Sequence, residues 1–89
     1  MKAVITVTGK DTVGIIAAVS SFCATHGANI TEITQSVLSE YFAMIMIAEI
    51  GGLDVPFADF AGELAKMGAE KCLDIRAMHE DIFNSMHHV

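Results

Sequence analysis

The spacing of apolar residues along the chain predicts an alternation of strands and helices. β-Branched residues dominate the first stretch, which ends at Gly9 and indicates a strand. From Val13 the apolar residues recur at helical spacing, and Gly27 is typical of a left-handed helix end. Pro56 suits a first helical position, because its missing N–H is not needed there. The predicted strands span 2–8, 29–39, 41–50 and 72–78, and the predicted helices span 13–27 and 56–68.

The order strand, helix, strand, strand, helix, strand is the split βαβ pattern of ferredoxin-like folds. It predicts an α+β domain, a βαββαβ sandwich in which a four-stranded antiparallel sheet carries both helices on one face. The first and third strands are expected at the centre of the sheet. The whole chain, 1–89, is expected to form one domain with a core over about 2–78. In the tail, 79–89, acidic residues come first and histidines last, which suits the dipole of a short helix.

The third strand is apolar on both of its faces, since the run from Tyr41 to Ala48 contains no charged residue. The two helices cover only one face of such a sheet, so the other face needs a cover of its own. A partner subunit or the terminal helix, with Ile82, Phe83 and Met86, would supply it. The pattern therefore favours a homodimer.

Composition narrows the possible partners. The 89 residues are 53% hydrophobic and only 18% charged, which is more apolar than most small domains. A domain this short buries only about 60% of the surface of its unfolded chain, so part of the excess is expected in an interface. The formal net charge of -6 argues against nucleic acid and anionic membranes as partners. No apolar run approaches the roughly 20 residues of a membrane span, and polar residues interrupt any signal-peptide core.

Cysteine and histidine spacing gives no metal or redox motif. Cys23 and Cys72 form no C-x-x-C pattern and lie in apolar contexts, so both are expected to be reduced and buried in a cytoplasmic protein. His26, in the last turn of the first helix, is expected to interact with the helix dipole. His26, His79 and the pair 87–88 match no compact ligand set, so neither a metal nor another cofactor is expected.

The stretch from Val7 to Ala17, followed by His26 to Ile30, resembles the ACT domain family of small regulatory modules. One departure is Val13, where many members carry proline. The segment 35–42 and the tail residues 81–83 resemble more closely a group of small single-ACT proteins, which are in turn similar to the ACT halves of glycine-cleavage transcriptional repressors. The resemblance implies a non-catalytic sensor of an amino acid or related metabolite, usually bound at a dimer interface. The matching residues are Gly9, Asp11, Gly14, Gly27, Asn29 and Ile30.

The chemistry of the turn after the first strand is compatible with this function. A helix N-terminus presents unpaired N–H groups and partial positive charge, which suit a carboxylate. Gly14 lets a ligand approach closely, Asp11 is suited to an ammonium group, and Asn29 both donates and accepts hydrogen bonds. Each residue also has a purely structural explanation, as a turn glycine, a helix N-cap at Asp11 or Thr12, or a turn asparagine. The candidate ligand-binding residues are Gly9, Lys10, Asp11, Val13, Gly14, Ile15, Asn29 and Ile30.

Two other functional classes stay open. In the first alternative, the chain is a structural interaction module that binds no ligand. The second is an acylphosphatase-type enzyme, whose chemistry needs an arginine in the first loop, whereas Arg76 lies in the last predicted strand. The expectation is a module that is not an enzyme and that passes its signal to another regulatory protein or enzyme.

Overall fold

The computed structural model describes residues 1–10 and 13–86 of the chain. Within them it contains the predicted order of elements followed by a terminal helix. The strands are β1 (Lys2–Gly9), β2 (Asn29–Leu38), β3 (Tyr41–Glu49) and β4 (Asp74–His79). The helices are α1 (Ile15–Thr25), α2 (Phe57–Glu70) and α3 (Glu80–Met86).

The strands form one antiparallel sheet in the order β2-β3-β1-β4. β1 pairs with β3 and with β4, and β2 pairs with β3. The predicted ferredoxin-like fold, with the first and third strands at the centre, is therefore confirmed. The register places Lys2 opposite Glu49 at one end of the sheet and Gly9 opposite Phe42 at the other.

The core lies between one face of the sheet and the helices α1 and α2. Along β3 the side chains alternate between buried and more exposed positions, as expected when helices cover one face. Met44 and Met46 are 1% and 0% exposed and belong to the core. The buried side chains of this core include Ala3, Ile5 and Val7 of β1, Phe42, Met44, Met46 and Ala48 of β3, Ile75 of β4, and Val19, Phe60 and Leu64 of the helices.

Helix α1 begins at Ile15, two residues later than the spacing predicts. Gly14, just before it, has φ +75°, in the left-handed region that an α-helix cannot include. The apolar periodicity therefore continues past the position where the backbone turns. At the other end, Gly27 has φ +84° and supplies the predicted left-handed residue.

Helix α2 continues through Gly68 to Glu70, so the prediction that this glycine ends the helix is wrong. Gly68 is buried, and a Cβ there would lie 2.6 Å from Cγ1 of Ile75. The glycine is needed for close packing of α2 on β4. The helix ends instead in a turn at Cys72, which has φ +60° and donates its N–H to the carbonyl of Ala69 at 3.1 Å.

The same turn overturns one expectation about the cysteines. Cys72 is exposed, because its position in the turn directs it away from the core, whereas Cys23 on α1 is buried as predicted. Both are free thiols. Burial raises the pKa of the Cys23 thiol from 9.0 to about 11.

The face of the sheet opposite α1 and α2, called the open face below, is only partly covered. Val4 alternates with the core residues Ala3 and Ile5 and so points to this face, where it is 0% exposed. Helix α3 contacts β1, the strand that carries Val4, and the neighbouring β4. On β3, Tyr41 and Ile45 remain 54% and 40% exposed. The main contacts of the terminal helix are thus with β1 and β4, and these two residues of the apolar third strand keep much of their exposure. Across residues 1–10 and 13–86, the helices are too short or too polar to cross a membrane.

Candidate functional site

The connection between β1 and α1 is described at Lys10 and from Val13 onward, where it leads into the N-terminus of α1. Gly14 is the N-terminal cap residue and makes no side-chain hydrogen bond, and the first turn of α1 contains no acidic residue. A Cβ built on Gly14 would meet nothing within 4 Å. In the described part of this connection, the first N–H groups of α1 therefore keep their partial positive charge beside open space.

The other candidate residues of this connection differ in what they offer. Val13 is 93% exposed, whereas the side chain of Ile15 is 2% exposed and belongs to the core, so Ile15 offers a ligand only its backbone. Gly9 ends β1, where a Cβ would overlap Cδ2 of Leu73. Asp11, together with the possible capping residue Thr12, lies outside the described residues.

Asn29 and Ile30 lie at the opposite end of the sheet from Gly9. Asn29 is level with Glu49 and Lys2, while Gly9 is level with Phe42. Lys2 and Gly9, which mark the two ends of the sheet, are seven residue steps apart along β1, or roughly 23 Å at the usual rise of a strand. Within one protomer, the candidate residues therefore form two separate groups. Asn29 is exposed, and Ile30 packs against the core.

Lys10 connects the β1–α1 loop to the turn between β2 and β3. Its Nζ lies 3.7 Å from Oε1 of Glu40 and 5.3 Å from the centroid of the Tyr41 ring. Sequence reasoning included Lys10 but missed both partners, which are about thirty positions away. The sequence did contain a signal for the contact with Tyr41, because the predicted central position of the first and third strands already places Tyr41 beside the end of the first strand.

A cavity of about 250 Å³ opens on the open face next to these residues. Thr8, Ala43 and Ser36 form a row across β1, β3 and β2 in register, and their small side chains leave the depression. This open-face cavity was not predicted from the sequence. Its lining residues are Thr8, Gly9, Ser36, Tyr41, Phe42 and Ala43.

His26 joins the end of α1 to the segment that leads into α2. Its Nδ1 lies 3.0 Å from Oδ1 of Asp54, and its Nε2 lies 3.5 Å from Oε2 of Glu63. The His26 and Phe22 rings are 4.6 Å apart, and the N–H of Asp54 donates to the carbonyl of His26 at 3.0 Å. The histidine thus makes specific contacts beyond the helix-dipole interaction that its position predicts.

The arginine singled out in the sequence, Arg76, is exposed at the surface. Arg76 lies on the edge strand β4 and donates from Nε to Oδ1 of Asp74 at 3.1 Å. In the part of the chain that the structure describes, no three His, Cys, Asp or Glu side chains are grouped so that they could hold a metal ion. His87 and His88 lie outside the described residues.

The fold places the chain in a known class of small α+β domains. A model of the ACT domain family matches residues 2–77, and the chain belongs to that family. Among its relatives, a UPF0237 protein of Clostridium acetobutylicum is 46% identical over 89 residues and covers 100% of both chains. A UPF0237 protein of the archaeon Methanopyrus kandleri is 43% identical over 88 residues, which are 99% of this chain and 98% of the relative.

Solved structures agree with this assignment. An ACT domain protein from Streptococcus pneumoniae is 38% identical, covers 93% of each chain, and superposes with a TM-score of 0.80. A formyltetrahydrofolate deformylase from Pseudomonas syringae is 27% identical with a TM-score of 0.75, over 88% of this chain and 27% of the deformylase. A putative glycine cleavage system transcriptional repressor, 22% identical with a TM-score of 0.69 over 86% of this chain and 44% of the repressor, has the same fold.

Proposed function

We propose that this protein is a non-catalytic regulatory module that binds an amino acid or a related metabolite at the interface between two copies of the chain. The observation that carries the proposal is the β1–α1 connection. There, Gly14 adopts φ +75° directly before α1, the described residues supply no side-chain cap to this helix, and a Cβ on Gly14 would meet nothing within 4 Å. Backbone N–H groups at such a terminus suit a ligand carboxylate.

The separation of the candidate residues supports a site between two copies. Gly9 and Asn29 lie at opposite ends of one sheet, so they do not meet within a protomer. A two-fold axis that runs beside β2 places two protomers antiparallel. With that axis at the level of Ile33, Asn29 of the partner subunit would lie at the level of Val37, which is the end of the sheet where the β1–α1 loop begins.

The β2 edge has the surface that such pairing requires. β2 is an edge strand of ten residues, and an uncovered edge presents unpaired N–H and C=O groups to another strand. Val37 and Ile33 on β2 are 72% and 42% exposed, and Ile16 on α1 is 40% exposed. Their burial against a second copy would account for part of the apolar excess in the composition.

Regulation would follow from linkage. A ligand that binds the assembled pair more tightly than the separate chains shifts the population toward the pair. The output then passes to another protein or enzyme that recognises one state. The net charge of -6 makes a nucleic-acid target unfavourable.

A thermal-shift screen of the twenty amino acids, with light scattering after gel filtration, tests the proposal. We expect a dimer whose melting temperature rises with one ligand or a small group of ligands. Gly14→Ala is expected to reduce the ligand-induced shift, and Gly62→Ala is the matched control, since Gly62 is exposed on α2 with nothing within 4 Å of a Cβ. A folded monomer would contradict the interface.

A second candidate is a protein-interaction module without a ligand. The observation that favours it is the exposed apolar part of the open face, where Tyr41 and Ile45 are 54% and 40% exposed. A folded dimer that no amino acid stabilises at millimolar concentration would support this alternative over the sensor.

A further inference from the structure

The large exposed apolar side chains of β2 and β3 lie on opposite faces of the sheet. Ile33 and Val37 of β2 are level with core residues of β3, so they lie on the same face as α1 and α2. Tyr41 and Ile45 of β3 alternate with core residues and lie on the open face. Pairing along the β2 edge would cover the first two residues and leave the other two exposed. Two such surfaces indicate two separate interfaces.

We propose that the open face of one β2-paired dimer docks against the open face of a second dimer, so that four copies of the chain form one assembly. This inference rests on the β2 pairing of the proposed function and identifies what covers the open face. In the paired sheet, β2 and β3 of both chains lie at the centre. Helix α3 mainly contacts β1 and β4 and therefore lies toward the outer ends, which leaves the centre uncovered.

The uncovered centre has side chains that suit contact between two sheets. Thr34 and Ser36 of β2 lie opposite Ile45 and Ala43 of β3, and all four residues are exposed. None of the four is charged, so another sheet can pack here without the desolvation of an ion. Side chains of two inner faces interdigitate when sheets pack face to face.

The open-face cavity favours an identical face as the partner. Tyr41 and Ile45, which are 54% and 40% exposed, flank Ala43 on the same face of β3, and Ala43 lines the cavity of about 250 Å³. A contact related by a two-fold axis uses the same patch on both sides. Such a patch must supply both protruding side chains and the space that receives them, and the open face contains both.

The charges around the open face also favour a second copy. On its strands and its rim, the described chain carries three basic and four acidic side chains. They are Lys2, Lys10 and Arg76, and Glu32, Glu40, Glu49 and Asp74. This surface therefore contributes only one of the six net negative charges of the chain. Repulsion between two acidic copies is smaller here than it would be if the charge were spread evenly over the chain.

The available area explains why pairs dock rather than single chains. At the usual spacing and rise of strands, β2 and β3 of one chain present a surface of roughly 10 Å by 26 Å, or about 250 Å². Two single chains would cover roughly 500 Å² in total, whereas a specific interface needs about 1,000 Å². Two pairs double the area and reach that value. Docking thus depends on prior pairing, and any ligand that stabilises the pair also favours the assembly of four.

Light scattering after gel filtration counts the chains, and matched variants locate the contact. We expect four chains in the wild type and two in Ala43→Lys, which places a charge at the centre of the open face. Ala65→Lys makes the same change at an exposed position of α2 and is expected to retain four chains. Ile45→Thr keeps a β-branched residue and is expected to weaken the association of dimers by about tenfold or more. Circular dichroism checks that the three variants fold.

Tyrosine fluorescence reports on the open face directly. Tyr41 is the only tyrosine, and the chain contains no tryptophan. We expect acrylamide to quench this fluorescence about twofold less in the wild type than in Ala43→Lys, because the core of an interface is closed to solvent. This readout distinguishes docking through the open face from association through another surface.

The outcomes separate this inference from the proposed function. A wild type of two chains overturns the inference, leaves the β2 pairing standing, and makes the open face available to a different protein. Four chains in Ala43→Lys, two chains in Ala65→Lys, or equal quenching of the wild type and Ala43→Lys also overturns it. A folded monomer overturns both the inference and the proposed dimer.

Discussion

Gly27 lies directly against the carbonyl oxygen of Gly52, at a point where no side chain fits. A Cβ on Gly27 would overlap that oxygen and would lie 3.0 Å from the Gly52 carbonyl carbon. The backbone of Gly27 also has φ +84°, which costs an ordinary L-residue about 1–2 kcal/mol. This contact joins the end of α1 to the segment that leads into α2.

Gly27→Ala is therefore expected to destabilise the fold by more than about 2 kcal/mol, since backbone strain and the clash add. Gly62→Ala is the control, because this exposed helical glycine has room for a Cβ and alanine favours a helix by about 0.5–1 kcal/mol. Urea unfolding measures both free energies of unfolding. Equal stability of the two variants would contradict the importance of the contact.

We expect helix α3 to protect Val4 from water on the open face. Val4 is 0% exposed, and α3 contacts β1, which carries Val4, and the neighbouring β4. Val4→Ala is expected to cost about 2 kcal/mol in the full chain, from two lost methyl groups and the gap they leave. In a chain truncated after His79 the same substitution should cost markedly less, because Val4 is then in contact with water. Thermal unfolding of the four chains gives both values, and an unchanged cost would show that α3 is not the cover.

The two cysteines are expected to react at very different rates. Cys72 is exposed, whereas burial raises the pKa of Cys23 to about 11, so almost no Cys23 thiolate exists at neutral pH. A thiol reagent at pH 7.5 should label one group per chain rapidly, and Cys72→Ser should abolish that fast phase. Denaturant should release the second thiol. Rapid labelling of the Cys72→Ser variant in native buffer would contradict the burial of Cys23.

Alkaline pH is expected to destabilise the protein through Cys23. The raised pKa means that the folded state binds the proton more tightly than the unfolded state. This contribution is fully present below pH 9 and is lost as the pH rises from 9 toward 11. The free energy of unfolding should therefore fall less steeply over this window in Cys23→Ala than in the wild type. Parallel curves for the two proteins would refute the assignment.

Acidic pH is expected to destabilise the folded protein partly through protonation of Glu49. A hydrogen bond from the N-terminal ammonium of Met1 to Oε1, at 2.8 Å, and then one from the N–H of Gly51, at 3.2 Å, lower the pKa of this carboxyl group. Its contribution is present above the ordinary pKa and disappears as the pH falls through the lowered one. Urea midpoints between pH 6 and 3 should fall less in Glu49→Gln than in the wild type. Glu70→Gln, at an exposed helix position, should follow the wild-type curve.

The sequence by itself determined the order of elements, the central strands and the β1–α1 loop. These features depend on short-range patterns: alternation along β3, helical spacing after Val13, and a glycine at 27 that suits a left-handed helix end. Such patterns reflect which side of an element must be buried, and they are readable without knowledge of what packs against it.

Tertiary structure decided what lies across from each residue. The sequence predicts that Gly68 ends a helix, whereas the structure shows a glycine that allows close packing on Ile75. The sequence also predicts a buried Cys72, whereas the turn exposes this residue. Asn29 and Gly9 share a family motif yet lie at opposite ends of the sheet. Lys10 forms an ion pair with Glu40 because the antiparallel pairing of β1 with β3 brings the end of β1 beside the turn between β2 and β3. Contacts of this kind form only when the elements pack together, and the periodicity within one element does not specify the partner residue.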